Sequence, residues 1–472
     1  MKLKISWIIY FLILFVPAEV LILKVLPVPD NVYGYLRLVV ELIVYILGGI
    51  ILMRVLTSGK LPIGTNIDKL ILIFIGYGFL ITIVNSAPML EAFVGIRGLL
   101  RYVPLVYVLA FIRIDKVMSR RYFNLLIFIA IGQVLLTIYQ HYFGVSEIWY
   151  PRASDLEIGG KQVDFRLLST GFGSGREQGA GIGTFGDSVP LALFLVIVFI
   201  VLVASLQIPM NFGRNKKVLL NTLAILILVS IFFTYSRGSV LIALLTIPLL
   251  LLLAGKRKNI VLLFIAAILV LSPFLINMMV VKTGESAYIN PKLRYTDPIS
   301  NVLAVFNSDY VDNTLQFSRG LVLTQIGVKL VEGKNFFGFS PAQDFALEKA
   351  ATKMFGSETP INNLPVINDV YWVAFVIYYG FVGLAIFLLI LYRIMKASIF
   401  VYKNSPDIYL KVFGLSMAVL VLISIPYSMI LRTFMFRSFG FYFWVMAGLV
   451  FMEWRRLKYS DTSDHEFETF TR

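Results

Sequence analysis

Apolar runs of about 20 residues recur from one end of this chain to the other, and no other feature restricts its fold so strongly. Wound as a helix, such a run matches the hydrocarbon thickness of a bilayer. In lipid, every backbone N–H and C=O must find its partner within the segment or on a protein neighbour. Read with their charged flanks, the runs lie near 5 to 24, 35 to 55, 69 to 85, 94 to 112, 122 to 140, 188 to 206, 218 to 235, 238 to 254, 259 to 280, 370 to 393, 409 to 430 and 438 to 453. Only 15% of the residues are charged, against roughly 25% in soluble domains. The expected fold is all-α: a polytopic membrane protein with about 12 transmembrane helices and two long outer loops, the second partly helical.

Basic residues test that count, because Lys and Arg gather in alternate connections when no helix has been missed or invented. One side collects Lys2 and Lys4; Lys60 and Lys69; Arg113, Lys116, Arg120 and Arg121; Arg214, Lys216 and Lys217; Lys256, Arg257 and Lys258; Arg393, Lys396 and Lys403; and Arg455, Arg456 and Lys458. Both termini are therefore expected in the cytoplasm. The sequence divides into helices 1–5 over 1–140, a first outer loop over 141–187, helices 6–9 over 188–280, a large outer loop over 281–369, helices 10–12 over 370–453 and a cytoplasmic tail over 454–472. The basic start Met1-Lys-Leu-Lys-Ile is similar to that of a signal peptide. The apolar stretch behind it is too long, and no small-residue cleavage site follows, so it is expected to be the first membrane helix. The net charge of +15 is first explained by loop orientation, and no nucleic-acid partner is expected. With no cysteine and only His141 and His465, neither thiol chemistry nor a metal site is expected, and no cofactor.

Charge at membrane depth is expensive, so each such residue pairs, snorkels or lines a polar cavity. Arg37 and Glu41 are four apart and can neutralise one another on a helix face, while Glu19 needs a partner from another helix or a role in proton coupling. Arg97 and Arg101, also four apart, share a face near the outward end of the fourth expected span. Two like charges there suit joint binding of a diphosphate, whose oxygens match forked guanidinium donors, or separate snorkelling to lipid phosphates. Arg237 sits in Phe232-Phe-Thr-Tyr-Ser-Arg-Gly-Ser239, a connection too short to need an arginine for turning. The run Gly171-Phe-Gly-Ser-Gly-Arg-Glu-Gln-Gly-Ala-Gly-Ile-Gly183 permits close approach to a ligand or is a flexible solvated loop; its spacing is not that of a P-loop. In the second loop, apolar residues at helical spacing predict a helix from Ser318 to Val331, ending near Gly333.

Thr234-Tyr-Ser-Arg-Gly before a leucine-rich helix resembles the T-x-S-R motif of the O-antigen ligase and O-antigen polymerase superfamily of bacterial envelope glycan assembly. Gly183-Thr-Phe185, preceded by Arg176, resembles that family's first outer loop, and Phe317-Ser-Arg319 with Asn335-Phe-Phe-Gly338 its second. Tyr371, Gly380 and Gly383 resemble its aromatic residue and G-x-x-G before the next helix; Gly95-Ile-Arg97 and Gln140 resemble its fourth and fifth spans. Two departures stand out. The histidine that such ligases carry before the tenth span is absent from Val366-Ile-Asn-Asp-Val-Tyr371, and the turn after the outer-loop helix lacks its leading proline.

The resemblance implies a multi-pass glycosyltransferase of the bacterial cytoplasmic (inner) membrane. It would join polyprenyl-diphosphate-linked oligosaccharide repeat units on the outer face, as in O-antigen, capsule or exopolysaccharide synthesis. A chain-length regulator and a flippase are the partners it brings. Arg237, with Arg97 and Arg101, is expected at the diphosphate, where negative charge grows as the glycosidic bond breaks. Arg176 and Arg319 are expected at the glycan. Asp369, where the ligase histidine would lie, is the expected general base, with Asp344 behind it; either carboxylate alternatively caps a helix. A ligase acting on finished glycan, and a transporter or flippase of lipid-linked glycan, stay open beside the polymerase.

Overall fold

A computed structural model describes residues 2–27, 29, 32, 35–58, 66–111, 116–150, 157–158, 161–162, 180–209, 213–255, 327–333, 335–355 and 370–459. Helices dominate, and the only sheet among these residues is an antiparallel ladder pairing Glu157 with Gln162 and Ile158 with Lys161. Seven helices are long and apolar enough to cross a membrane, and an eighth span is made if one bent pair is counted as one. The protein is thus helical and of multi-pass membrane character. A helix overlies every expected apolar segment except 259 to 280, which lies outside the described residues.

Contacts sort the chain into two units that interleave in sequence rather than following one another: 1–43 with 115–311, and 44–114 with 312–472. The first contains α1 (Lys2–Val25), the start of α2 (Val39–Ser58), α6 (Lys116–Phe143), α7 (Ser188–Gln207), α8 (Arg214–Phe233) and α9 (Arg237–Leu253). Arg37 lies in the turn just before α2, so it and Glu41 straddle the helix start instead of sharing two turns. Helix α7 is apolar on every side, and Leu191 to Leu202 are buried throughout; such a helix belongs in an interior. It packs against α6, α8 and α9. Asp187 starts it by accepting a hydrogen bond from the Val189 N–H at 2.9 Å.

The second unit holds the rest of α2, α3 (Asn66–Val84), α4 (Met89–Leu100), α5 (Pro104–Phe111), α10 (Gly327–Glu332), α11 (Gln343–Phe355), α12 (Tyr371–Asn404), α13 (Ile408–Tyr427) and α14 (Arg437–Tyr459). Its core is aromatic: Phe74, Phe375, Tyr379 and Phe387 meet ring to ring, and Phe434 joins them through Phe387. At the other end of α14, the fully buried Glu453 accepts from Ser405 Oγ at 2.6 Å and from Arg456 Nη2 at 2.7 Å, so its charge is matched.

Two sequence expectations shift. The fourth span is the bent pair α4 and α5, which differ in direction by 44°. Its first helix begins at Met89, ahead of Glu91, with Arg97 in its last turn and Arg101 at its C-cap, where the pair bends. Of the helix expected from Ser318 to Val331, only Gly327–Glu332 is described, and the helix that follows, α11, was touched only by the alternative reading of Asp344 as a helix cap.

Candidate functional site

In the first unit the chain reverses between α8 and α9 within Thr234, Tyr235 and Ser236. Tyr235 turns it by adopting φ of +55°, a left-handed conformation uncommon for a bulky residue and a mark of a specified turn. Thr234 Oγ1 donates to the Ile231 carbonyl at 2.7 Å and accepts the Ser236 N–H at 3.3 Å, while the Ser236 and Ser239 hydroxyls bond at 2.6 Å. Thr and Ser of the T-x-S-R pattern therefore build the turn. Arg237 is left as the first residue of α9, at the positive end of that helix's dipole.

The Gly183-Thr-Phe185 element comes to the same place. The Gly181 N–H donates to the Phe233 carbonyl at 2.9 Å, linking the end of the first long loop to the last residue of α8. Two glutamines of α6 hold this arch. Gln140 Oε1 accepts the N–H groups of Ile182 and Gly183 at 2.9 and 2.8 Å, and its Nε2 donates to the Gly183 carbonyl at 3.1 Å. Gln133 donates to Thr184 Oγ1 at 2.7 Å and accepts the Thr184 N–H at 3.1 Å; that hydroxyl in turn bonds the Pro17 carbonyl of α1. A Cβ at Gly181 would lie 2.4 Å from Thr137 Cγ2, and one at Gly183 would lie 2.3 Å from Gln133 Oε1. Glycine is required here for close approach.

Gln133 and His141 escaped the sequence reading. Gln133, Thr137 and Gln140 form a polar stripe at helical spacing on an otherwise apolar helix, and that stripe was the available signal. His141 lies flat on Phe233, with ring centroids 3.9 Å apart, and 6.3 Å from the Tyr235 ring. A titratable imidazole thus stands beside the turn that opens α9.

Gln140→Ala removes three buried bonds to one arch, and we expect it to lower stability by about 2 kcal/mol. Thermal unfolding in detergent checks this, and Gln140→Glu, which keeps the acceptor, should recover part of the loss.

The second unit assembles another pair of the sequence motifs. Helix α12 is broken at Gly380, where φ is +65° and ψ is −177°, and the loop after α10 fills the break. Phe339 N–H donates to the Ile377 carbonyl at 2.9 Å, Phe381 N–H to Asn335 at 3.3 Å and Val382 N–H to Phe336 at 3.0 Å. Asn335 Nδ2 adds a bond to the Val376 carbonyl at 2.9 Å. The backbone groups freed by the break are thereby satisfied, as apolar surroundings demand. Gly338 has φ of +74°, and a Cβ there would lie 2.4 Å from the Gly380 nitrogen. Past this contact Ser340 meets Thr82 at 3.2 Å, and the Pro341 carbonyl lies 2.0 Å from where a Cβ of Gly95 would be. Gly95 therefore admits the loop against α4, two residues from Arg97.

Arg97 sits in the last turn of α4, and Arg101 caps its end with the guanidinium 6.0 Å from the Tyr102 ring; both are half-buried. A Cβ at Gly98, between them, would meet Met435 at 2.9 Å, so α4 packs on the turn that Arg432 precedes. Arg432 is exposed. Asp344 is exposed in the first turn of α11, a position that favours a carboxylate at the helix dipole. Arg176, Arg319 and Asp369 lie outside the described residues. Of Arg237 the backbone alone is described. Arg237 belongs to the first unit, Arg97 and Arg101 to the second. Among the described residues no group of three His, Asp or Glu side chains is placed to hold a metal. No family model matches the chain, and no curated protein does.

Proposed function

We propose that the protein is a polysaccharide repeat-unit polymerase of about twelve spans in a bacterial cytoplasmic membrane, with both termini cytoplasmic. On this reading it moves a growing glycan from polyprenyl diphosphate to the sugar of another lipid-linked unit on the outer face. The observation that carries the reading is the hydrogen bond from Gly181 to Phe233, which seats the Gly183-Thr-Phe185 element on the turn of Thr234-Tyr-Ser-Arg237. Two motifs that resemble one family, 50 residues apart in sequence by the numbers of Thr184 and Thr234, share one hydrogen-bonded construction.

Arg237 would meet the diphosphate at the start of α9, where the guanidinium and the helix dipole favour the same developing negative charge. Arg97 and Arg101 are the further diphosphate candidates that the sequence offers, and Arg176 and Arg319 its candidates for the glycan. The glycosidic bond breaks toward the diphosphate, which leaves with the bonding pair. The acceptor hydroxyl bonds to the anomeric carbon and gives its proton to a base. Asp369 is the base suggested by the sequence; His141, beside the turn, is the one suggested by the fold. Asp369→Asn and His141→Gln distinguish them: the variant lacking the base should lose at least about a hundredfold in elongation rate at normal protein level. Full polymer synthesis by Asp369→Asn would remove Asp369 from the mechanism.

The break in α12 favours transport of lipid-linked glycan as a second reading, since discontinuous helices form substrate sites in many transporters. Here, however, the N–H groups of Phe381 and Val382 at the break are already bonded by the loop. Purified protein in vesicles separates the two, because a transporter moves intact substrate and a polymerase forms a new glycosidic bond.

A further inference from the structure

At the end of the first unit opposite the Tyr235 turn, α6 and α8 begin, and both open with basic residues. Arg120, Arg121, Arg214 and Lys217 are exposed there and Lys216 is half-buried. Helices α6 and α8 pack against one another, so their two basic starts bring like charges to one end of the unit. In the sequence around these helix ends, over 112–128 and 196–224, the only carboxylate is Asp115, which lies outside the described residues.

Beside Lys217 a groove of about 940 Å³ runs between α7, α8 and α9, walled by Phe199, Val203, Ile225, Leu228 and Ile247. Its size is that of a ligand site, roughly 300–1,000 Å³. Its walls are mostly hydrocarbon, and Lys217, Asn221, Ser205 and Gln207 are the polar residues that line it. A smaller groove of about 480 Å³ repeats the pattern, with Trp7 and Phe11 as walls and Arg121 at the edge. Ile225 and Val218 of α8 are more than half exposed on a helix of membrane-spanning length, which fits a lipid tail better than water.

We propose that this end of the first unit is a binding site for an anionic phospholipid, with its phosphate held by Arg120, Lys216 and Lys217 and an acyl chain in the groove walled by Val203, Ile225 and Ile247. The ligand differs from the glycan carrier of the proposed reaction in place and in chemistry. A single bilayer phosphate is recognised at the opposite end from the Arg237 turn, and the basic residues retain lipid through charge at the headgroup level.

The test uses the full-length protein in neutral detergent, titrated with phosphatidylglycerol or phosphatidylcholine, with retained lipid counted by native mass spectrometry. Phosphatidylglycerol should be retained at least about tenfold over phosphatidylcholine, and each basic residue removed should cost about fivefold. The variants are Arg120→Gln, Lys216→Gln and Lys217→Gln, singly and together. Ile225→Trp fills the groove from an exposed position without touching a charge, and it too should weaken retention. Equal retention of the two lipids overturns the proposal, as does undiminished retention by the triple variant or by Ile225→Trp. Displacement by inorganic phosphate at matched concentration would show a simple anion site and overturn the lipid assignment.

Discussion

Arg237→Ala should abolish chain elongation, leaving single lipid-linked repeat units to accumulate while the protein reaches the membrane at its normal level. The prediction is strong because the turn that presents Arg237 does not depend on its side chain. Thr234, Ser236 and Ser239 make the bonds that shape the turn, and Tyr235 supplies its left-handed step. Alanine suits the first position of a helix, so the fold should be retained. The loss then falls on stabilisation of the leaving diphosphate. Removing one preorganised donor from such a site costs roughly 10²–10³ in rate. Arg237→Lys should recover a fraction, a point charge replacing a forked donor. An Arg237→Ala protein that elongates normally would remove the diphosphate role.

Gly380→Ala should cost at least about 3 kcal/mol of stability. Two effects combine. At φ of +65° and ψ of −177° the backbone occupies a region open essentially to glycine alone, and a Cβ there would lie 2.3 Å from the Phe336 carbonyl oxygen and 2.4 Å from the Gly338 nitrogen. Both obstacles are backbone, so no side chain can move aside. The Asn335–Ser340 loop must leave its seat, taking with it the bonds to Ile377, Phe381 and Val382. Gly49→Ala and Gly76→Ala are the controls. Neither position has any atom within 4 Å of an added Cβ, and both lie in helices, where alanine gains up to about 1 kcal/mol. Thermal unfolding and protease sensitivity of the loop in detergent read the difference. Equal stability of Gly380→Ala and Gly76→Ala would show that the docked loop contributes nothing.

Hydropathy located the helices well because apolar length is a local property, and α7 is apolar on every face. It set the start of the fourth span late, because Glu91 reads as a boundary although α4 begins two residues earlier. Helix α11 left only the capping alternative at Asp344 as a sign, since Gln343–Phe355 is too polar to register as an apolar run. The break falls at Gly380 of the Gly380-x-x-Gly383 element, but hydropathy reads Tyr371–Asn404 as one continuous apolar helix, and the loop from Asn335 onward gives freed backbone groups their partners. In the candidate site the resemblance indicated Thr234 to Arg237 and Gly183 to Phe185 separately. Their union depends on the long-range Gly181 to Phe233 bond, and the Gln133 and Gln140 clamp on pairings more than 40 residues apart.

Lipid-linked glycans from a deletion strain complemented with native protein or with Arg237→Ala, resolved by size, test the polymerase reading most directly. The account predicts a polymer ladder with the native protein and single repeat units with the variant and the deletion alike. Long lipid-linked chains accumulating in the deletion would instead show a ligase, and an undiminished ladder in the deletion would contradict any role in polymerisation.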